Sequence, residues 1–162
     1  MSLGVKQAKS YLNIKEGKII HKTGAGKEAL YDFIEGYLVD ITKRDREFKG
    51  ETVVYWYFDI QTETGEIYSL SIHYSSGVAK SILNALGSAE VLGKIRIETY
   101  QSGDFTKAIV YNNGERLSWK YSELPPLEEI KVGDKLVKDD SKRMDLFNQM
   151  AQDIVNKINR II

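Results

Sequence analysis

Apolar positions alternate with polar-tipped aromatic ones from Thr52 to Ile60, TVVYWYFDI, where β-branched and aromatic residues fill the run and turn residues bound it. This period-two pattern predicts a strand with two unlike faces. Val54, Trp56, Phe58 and Ile60 form an unbroken apolar row suited to a core. Val53, Tyr55, Tyr57 and Asp59 form the other row. A tyrosine can lay its ring against a flat partner while its hydroxyl stays in water. Such a face can stack nucleic-acid bases, or it can be an ordinary cross-strand pair on a solvated sheet.

The pattern continues on both sides. Tyr11 to Lys22 places Leu12, Ile14, Ile19 and Ile20 around Glu16-Gly17, which predicts a β extension at residues 10–22. Thr23 to Lys27 carries a GxGK string, but a phosphate-binding loop needs four residues between its glycines and a Ser or Thr after the lysine, so a turn is expected. Ala29 to Thr42 reads as one curved strand with a bulge or bend at Gly36. Lys43 to Gly50, KRDREFKG, reads as a charged loop. Glu66 to Tyr74 alternates again, with Tyr68, Leu70 and Ile72 on one face and Ser69, Ser71 and His73 on the other.

Ser75-Ser76-Gly77 opens a helix over Val78 to Leu86, closed by Gly87. Lys94 to Tyr100, Phe105 to Tyr111 and Arg116 to Tyr121 predict three successive antiparallel strands, with Asn113-Gly114 as a hairpin turn. Pro125-Pro126 stops the sheet, and Leu127 to Lys138 reads as a linker with at most a short strand. Asp139-Asp140-Ser141 caps a last helix. Its stripe of Phe147, Met150, Ala151, Ile154, Ile158 and Ile161 is expected to dock on the sheet of its own chain, with a homo-oligomer contact as the alternative, while Lys157 and Arg160 fall in its last turns.

Composition narrows the function. The 162 residues hold 42% hydrophobic and 28% charged residues, enough for one domain over 1–162: a core of about 29–121, the extension at 10–22, a linker at 122–139 and a helix at 140–162. No stretch approaches the ~18 consecutive apolar residues of a membrane span. The N-terminus lacks a signal-peptide pattern. Cysteine is absent, which removes disulfides and thiolate metal sites and fits a cytoplasmic protein. The 23 basic and 23 acidic residues cancel, so polyanion binding has to come from local patches. Two isolated histidines at 21 and 73 give no metal-ligand spacing, and no acid pair recurs beside a base, so neither an enzyme nor a metal or cofactor is expected.

The order strand, strand, strand, helix, strand, strand is that of the five-stranded OB barrel, so the expected fold is mainly β: an OB barrel with an internal helix, an N-terminal β extension and a C-terminal α-helix. Another small α+β sheet fits the periodicity as well. In an OB barrel the second and third strands, and the loops joining strands one to two and four to five, form the oligonucleotide face. Here they hold Tyr55, Tyr57, Ser71, His73, the segment Lys43 to Lys49 and the turn Gln101 to Asp104.

Over most of its length, through EGYLVDITKRDREFKGE, the aromatic strand, YSLSIHYSSGVAKSILNAL and PPLEEIKVGDKLVKDDSKRMDLF, the chain resembles the single-stranded DNA-binding proteins of bacteriophages. The resemblance implies an OB-fold protein that coats exposed single-stranded DNA during replication or recombination, meets replication or recombination proteins, and works in the host cytoplasm. One departure is the end of the chain: where many such proteins carry an acidic tail that recruits partners, this sequence reads KINRII.

Single-strand binders join a basic groove to aromatic platforms. The phosphate candidates are Lys43, Arg44, Arg46, Lys49, Lys94, Arg96 and Lys107, and the stacking candidates are Tyr55, Tyr57, His73 and Tyr100. Trp119 either joins the platform or packs in the core. The alternative is an OB domain acting as a protein-binding adaptor, which zero net charge supports and ten tyrosines permit.

Overall fold

A computed structural model describes residues 9–24, 26–125, 128–139 and 141–159. Within them the chain is mainly β. In order, the elements are β1 (Lys9–Lys15), β2 (Lys18–Gly24), β3 (Lys27–Tyr31), β4 (Phe33–Phe48), β5 (Glu51–Gln61), β6 (Ile67–His73), α1 (Gly77–Ser88), β7 (Lys94–Ser102), β8 (Phe105–Asn112), β9 (Glu115–Arg116), β10 (Glu128–Val132), β11 (Lys135–Asp139) and α2 (Ser141–Asn159). Nine strands make one sheet in the order β3-β2-β1-β6-β5-β4-β7-β8-β9, and β10 and β11 make a separate hairpin.

A closed five-stranded barrel is not what the described residues form. β1 runs parallel to β6, setting Leu12 beside Leu70 and Asn13 beside Ser71, and so occupies the edge along which a short barrel would close. The sheet instead curls until the β1–β2 turn meets β7 and β8. There the Gly17 N–H donates to Thr106 Oγ1 at 3.2 Å, and Thr99 Oγ1 donates to the Gly17 carbonyl at 2.8 Å.

The apolar row of β5 lies in the core as its alternation requires. Phe58 and Ile60 are fully buried with Leu70 of β6, Ile95 and Ile97 of β7, and Ile82, Leu83 and Leu86 of α1. Ser76 caps α1 by accepting the Ala79 N–H at 3.2 Å, and the helix continues through Gly87 to Ser88 instead of closing at the glycine. Phe147, Met150, Ala151 and Ile154 bury the stripe of α2 in the same core, and Ile158 is half-buried. Asp140, Arg160 and Ile161, also named from the sequence, lie outside the described residues. Lys157 joins the two helices by donating to the Gly87 and Ala89 carbonyls at 3.3 and 2.7 Å. Burial, with Lys120 nearby, lowers the pKa of its ammonium.

Five other expectations need correction. The run Ala29 to Thr42 is two strands, because Ala29 to Tyr31 pair with β2 and the chain bends at Asp32. The bulge falls between Leu38 and Asp40 and not at Gly36; Gly36 is a close approach, where an added Cβ would meet the Gln61 carbonyl oxygen at 2.5 Å. Lys43 to Gly50 is not a loop either. β4 pairs with β5 as far as Phe48 opposite Glu51, leaving Lys49 (φ 52°) and Gly50 (φ 80°) as a two-residue turn of the type that matches strand twist. After β8 only Glu115 and Arg116 are strand, whereas the linker at 122–139 contains the β10–β11 hairpin. Among the described residues no helix is long and apolar enough to cross a membrane.

Candidate nucleic-acid interface

Register assembles the outer face of the sheet. Directly paired residues share a face. Tyr55 lies opposite Arg44 on one side and His73 on the other, Tyr57 opposite Thr42 and Ser71, and Val53 opposite Arg46. The bulge after Leu38 turns Arg44 and Arg46 to this side, while Lys43, Asp45 and Glu47 fall on the other. The Arg46 guanidinium lies 5.2 Å from the Tyr55 ring centre and that of Arg44 lies 5.4 Å from Tyr57. Each such contact contributes roughly 0.5–1 kcal/mol at an exposed site. Neither arginine is in an ion pair among the described residues. His73 meets Tyr55 edge-on at 5.6 Å.

Tyr57 does not offer its ring as the alternation suggested. It is 6% exposed, and Tyr11 of β1 stands edge-on against it at 6.2 Å and is itself 50% exposed. The Ser71 hydroxyl, within 3.2 Å of the Leu12 carbonyl and 2.8 Å of Asn13 Oδ1, fixes β1 in place. At the far end of the row Lys9 pairs with the buried Asp59 carboxylate at 2.7 Å. At this place on the face the exposed ring is therefore Tyr11 and not Tyr57. The signal for it was present, since Tyr11 and Asn13 alternate with Leu12 and Ile14 as Tyr55 and Tyr57 alternate with the core row of β5.

The other basic candidates disperse. Lys43 lies on the opposite face, 5.8 Å from the Trp56 ring and 5.3 Å from that of Tyr74, two rings stacked at 5.3 Å. Lys49 occupies the β4–β5 turn. Lys94 is held by Glu63 at 2.6 Å and Glu35 at 3.1 Å; its pKa is raised mainly by the bond to Glu63, whose own pKa is lowered by it. Arg96 pairs with Glu98 at 2.9 Å and lies over the Phe33 ring at 3.7 Å. Lys94 and Arg96 thus already have carboxylate partners.

Tyr100, Lys107 and Trp119 form a second group, lining a groove of about 620 Å³ with Phe105 and Arg116, neither of which the sequence had marked as a site residue. Trp119 is 54% exposed and is not a core residue. Of the twelve sequence candidates, then, Arg44, Arg46, Tyr55 and His73 share one exposed face, Tyr57 supports it from beneath, and three more line the groove. No protein-family model, curated protein or solved structure matches the chain.

Proposed function

We propose that this chain binds single-stranded DNA on the outer face of β1, β6, β5 and β4, and coats exposed strands during replication or recombination, as a phage-type single-strand binder in the host cytoplasm would. The observation that carries the reading is the pair of arginines that have no acidic partner among the described residues, lying over tyrosine rings beside His73 and the exposed Tyr11. Cations can neutralise phosphates while rings stack bases of any sequence, the combination that sequence-tolerant single-strand binding requires. The succession β4, β5, β6, α1, β7, β8, in which β6, β5, β4, β7 and β8 are neighbours in the sheet, supports an OB-type unit enlarged by the N-terminal strands. On this reading the chain is a non-enzymatic binding protein.

The test is a titration of fluorescein-labelled oligo-dT followed by anisotropy, with a duplex of equal length beside it. Binding to oligo-dT and much weaker binding to the duplex are expected, because paired bases cannot reach the rings. Tyr11→Ala should weaken binding by about 1–3 kcal/mol, the range for one stacked base. A protein-binding adaptor is the second reading, favoured by the exposed Val132 and Leu136 of the β10–β11 hairpin. It takes over if oligo-dT does not bind at low salt.

A further inference from the structure

β8 has one strand edge left open. β7 covers the other edge from Phe105 to Asn112, but β9 pairs only with Tyr111 and Asn112. Among the described residues the edge from Phe105 to Ile109 has no strand partner, and beside it runs the groove of about 620 Å³ whose opposite wall is the first turn of α1. Three large rings open onto it: Tyr100 at 42% exposed, Phe105 at 72% and Trp119 at 54%. Lys107 and Arg116 line it without an ion pair among the described residues, against one carboxylate, Asp104. Rings left in water beside free cations match a ligand that brings both flat apolar faces and negative charge.

We infer that this groove is a second base-binding station for the same single strand, which leaves the tyrosine face at His73, turns over Ser75 to Gly77 and enters between α1 and β8. The inference rests on the single-strand reading of the outer face. Continuity supports it. His73 meets Tyr55 edge-on, its Nδ1 lies 3.3 Å from Ser75 Oγ, and Ser76 and Gly77 already line the groove. Gly77 stands four positions beyond His73, a reach of at most about 14 Å. In the groove Trp119 and Tyr100 stack bases, and Lys107 and Arg116 neutralise phosphates. The net positive balance favours a nucleic acid over a peptide added along the free edge of β8.

Trp119 makes the test direct, because the other tryptophan, Trp56, is 2% exposed and lies behind the sheet. The full chain is titrated with labelled oligo-dT of about 4 and about 12 nucleotides, lengths within the ~4–16 nucleotides that an OB unit covers. Anisotropy reads binding, and tryptophan emission reads occupancy of the groove. The 12-mer should quench emission and the 4-mer should not, and Trp119→Phe should abolish the quench. Trp119→Ala should lower 12-mer affinity about 5-fold to 150-fold, the equivalent of ~1–3 kcal/mol for one stacked base. Lys107→Ala with Arg116→Ala should reduce the ratio of 12-mer to 4-mer affinity and flatten the 12-mer salt slope by about 1.4, two contacts at ~0.7 each. If the 12-mer binds with unchanged emission, and these variants bind it like the parent, the groove proposal is overturned while the outer-face reading stands, leaving the groove to peptide addition. If neither oligonucleotide binds the parent protein, both readings fall.

Discussion

Replacing Arg44 and Arg46 by alanine should remove electrostatic binding without unfolding the protein. Both guanidinium groups lie on the outer face near the β4–β5 turn, and their contacts with Tyr57 and Tyr55 contribute only about 0.5–1 kcal/mol each, so a stable fold survives their loss. If each neutralises one phosphate, the log–log salt slope on single strands falls by about 0.7 per residue, or about 1.4 for the pair. Between roughly 50 and 200 mM salt, a change of about 0.6 in the logarithm, that amounts to a factor of about 7 in relative affinity, largest at the low-salt end. The comparison variant is Lys94→Ala with Arg96→Ala. Those cations already face Glu63, Glu35 and Glu98 and release few counterions when DNA arrives. Anisotropy titrations at four salt concentrations, with circular dichroism as the folding control, should give a flattened slope for the first variant and a nearly parental slope for the second. Equal slopes for both would refute the assignment of Arg44 and Arg46, and a flattening confined to the second would place the phosphates at the other end of the sheet.

Three further outcomes follow from packing and charge. Phe147 is fully buried between α2 and the rest of the core, so Phe147→Ala should reduce unfolding free energy in urea by about 3–5 kcal/mol; parental stability would mean that α2 is not docked. Gly36→Ala should destabilise by about 1–3 kcal/mol in thermal melts, because the new methyl meets a backbone carbonyl that cannot rotate away. For Glu63 and Lys94 the sign is fixed by direction. The stabilisation from the lowered carboxylate is present above its ordinary pKa and lost as pH falls through the folded value. That from the raised ammonium is present below its ordinary pKa and lost as pH rises through the folded value. The difference in Tm between the parent and Lys94→Met should therefore be constant from about pH 5 to 10 and narrow beyond either limit; a change between pH 6 and 8 would contradict the pairing.

Local alternation was legible wherever one face of a strand meets the core. Trp56, Phe58 and Ile60 of β5, the inward Ile95 and Ile97, and Phe147, Met150, Ala151 and Ile154 of α2 all lie where period and sign required, because burial specifies which face turns inward. The segment Lys43 to Glu47 reads as a loop for the opposite reason. Both of its faces are polar, so alternation carries no sign there, and only the turn at Lys49 and Gly50 shows that the strand continues. Tyr57 was misread because a single strand cannot reveal what covers it. Its burial depends on Tyr11, 46 positions earlier, and on a parallel pairing between β1 and β6 that no local signal encodes.

The same pairing links the shape of the sheet to the proposed interface. A strand on the free edge of β6 blocks short-barrel closure, and it also widens the outer face from three strands to four. Widening changes the chemistry. Lys9 neutralises Asp59, which would otherwise stand as an anionic group in the row of Tyr55 and Tyr57. Tyr11 sets an exposed ring edge-on against one that is now buried, moving the exposed ring two strands outward, from β5 to β1. The surface proposed for DNA is then assembled from residues 11, 44, 46, 55 and 73, on four strands that meet only in the folded sheet. Folding thus gives a protein with zero net charge a local patch suited to a polyanion: it places two cations that have no acidic partner among the described residues beside exposed rings, while Lys94 and Arg96 are neutralised at the other end of β4.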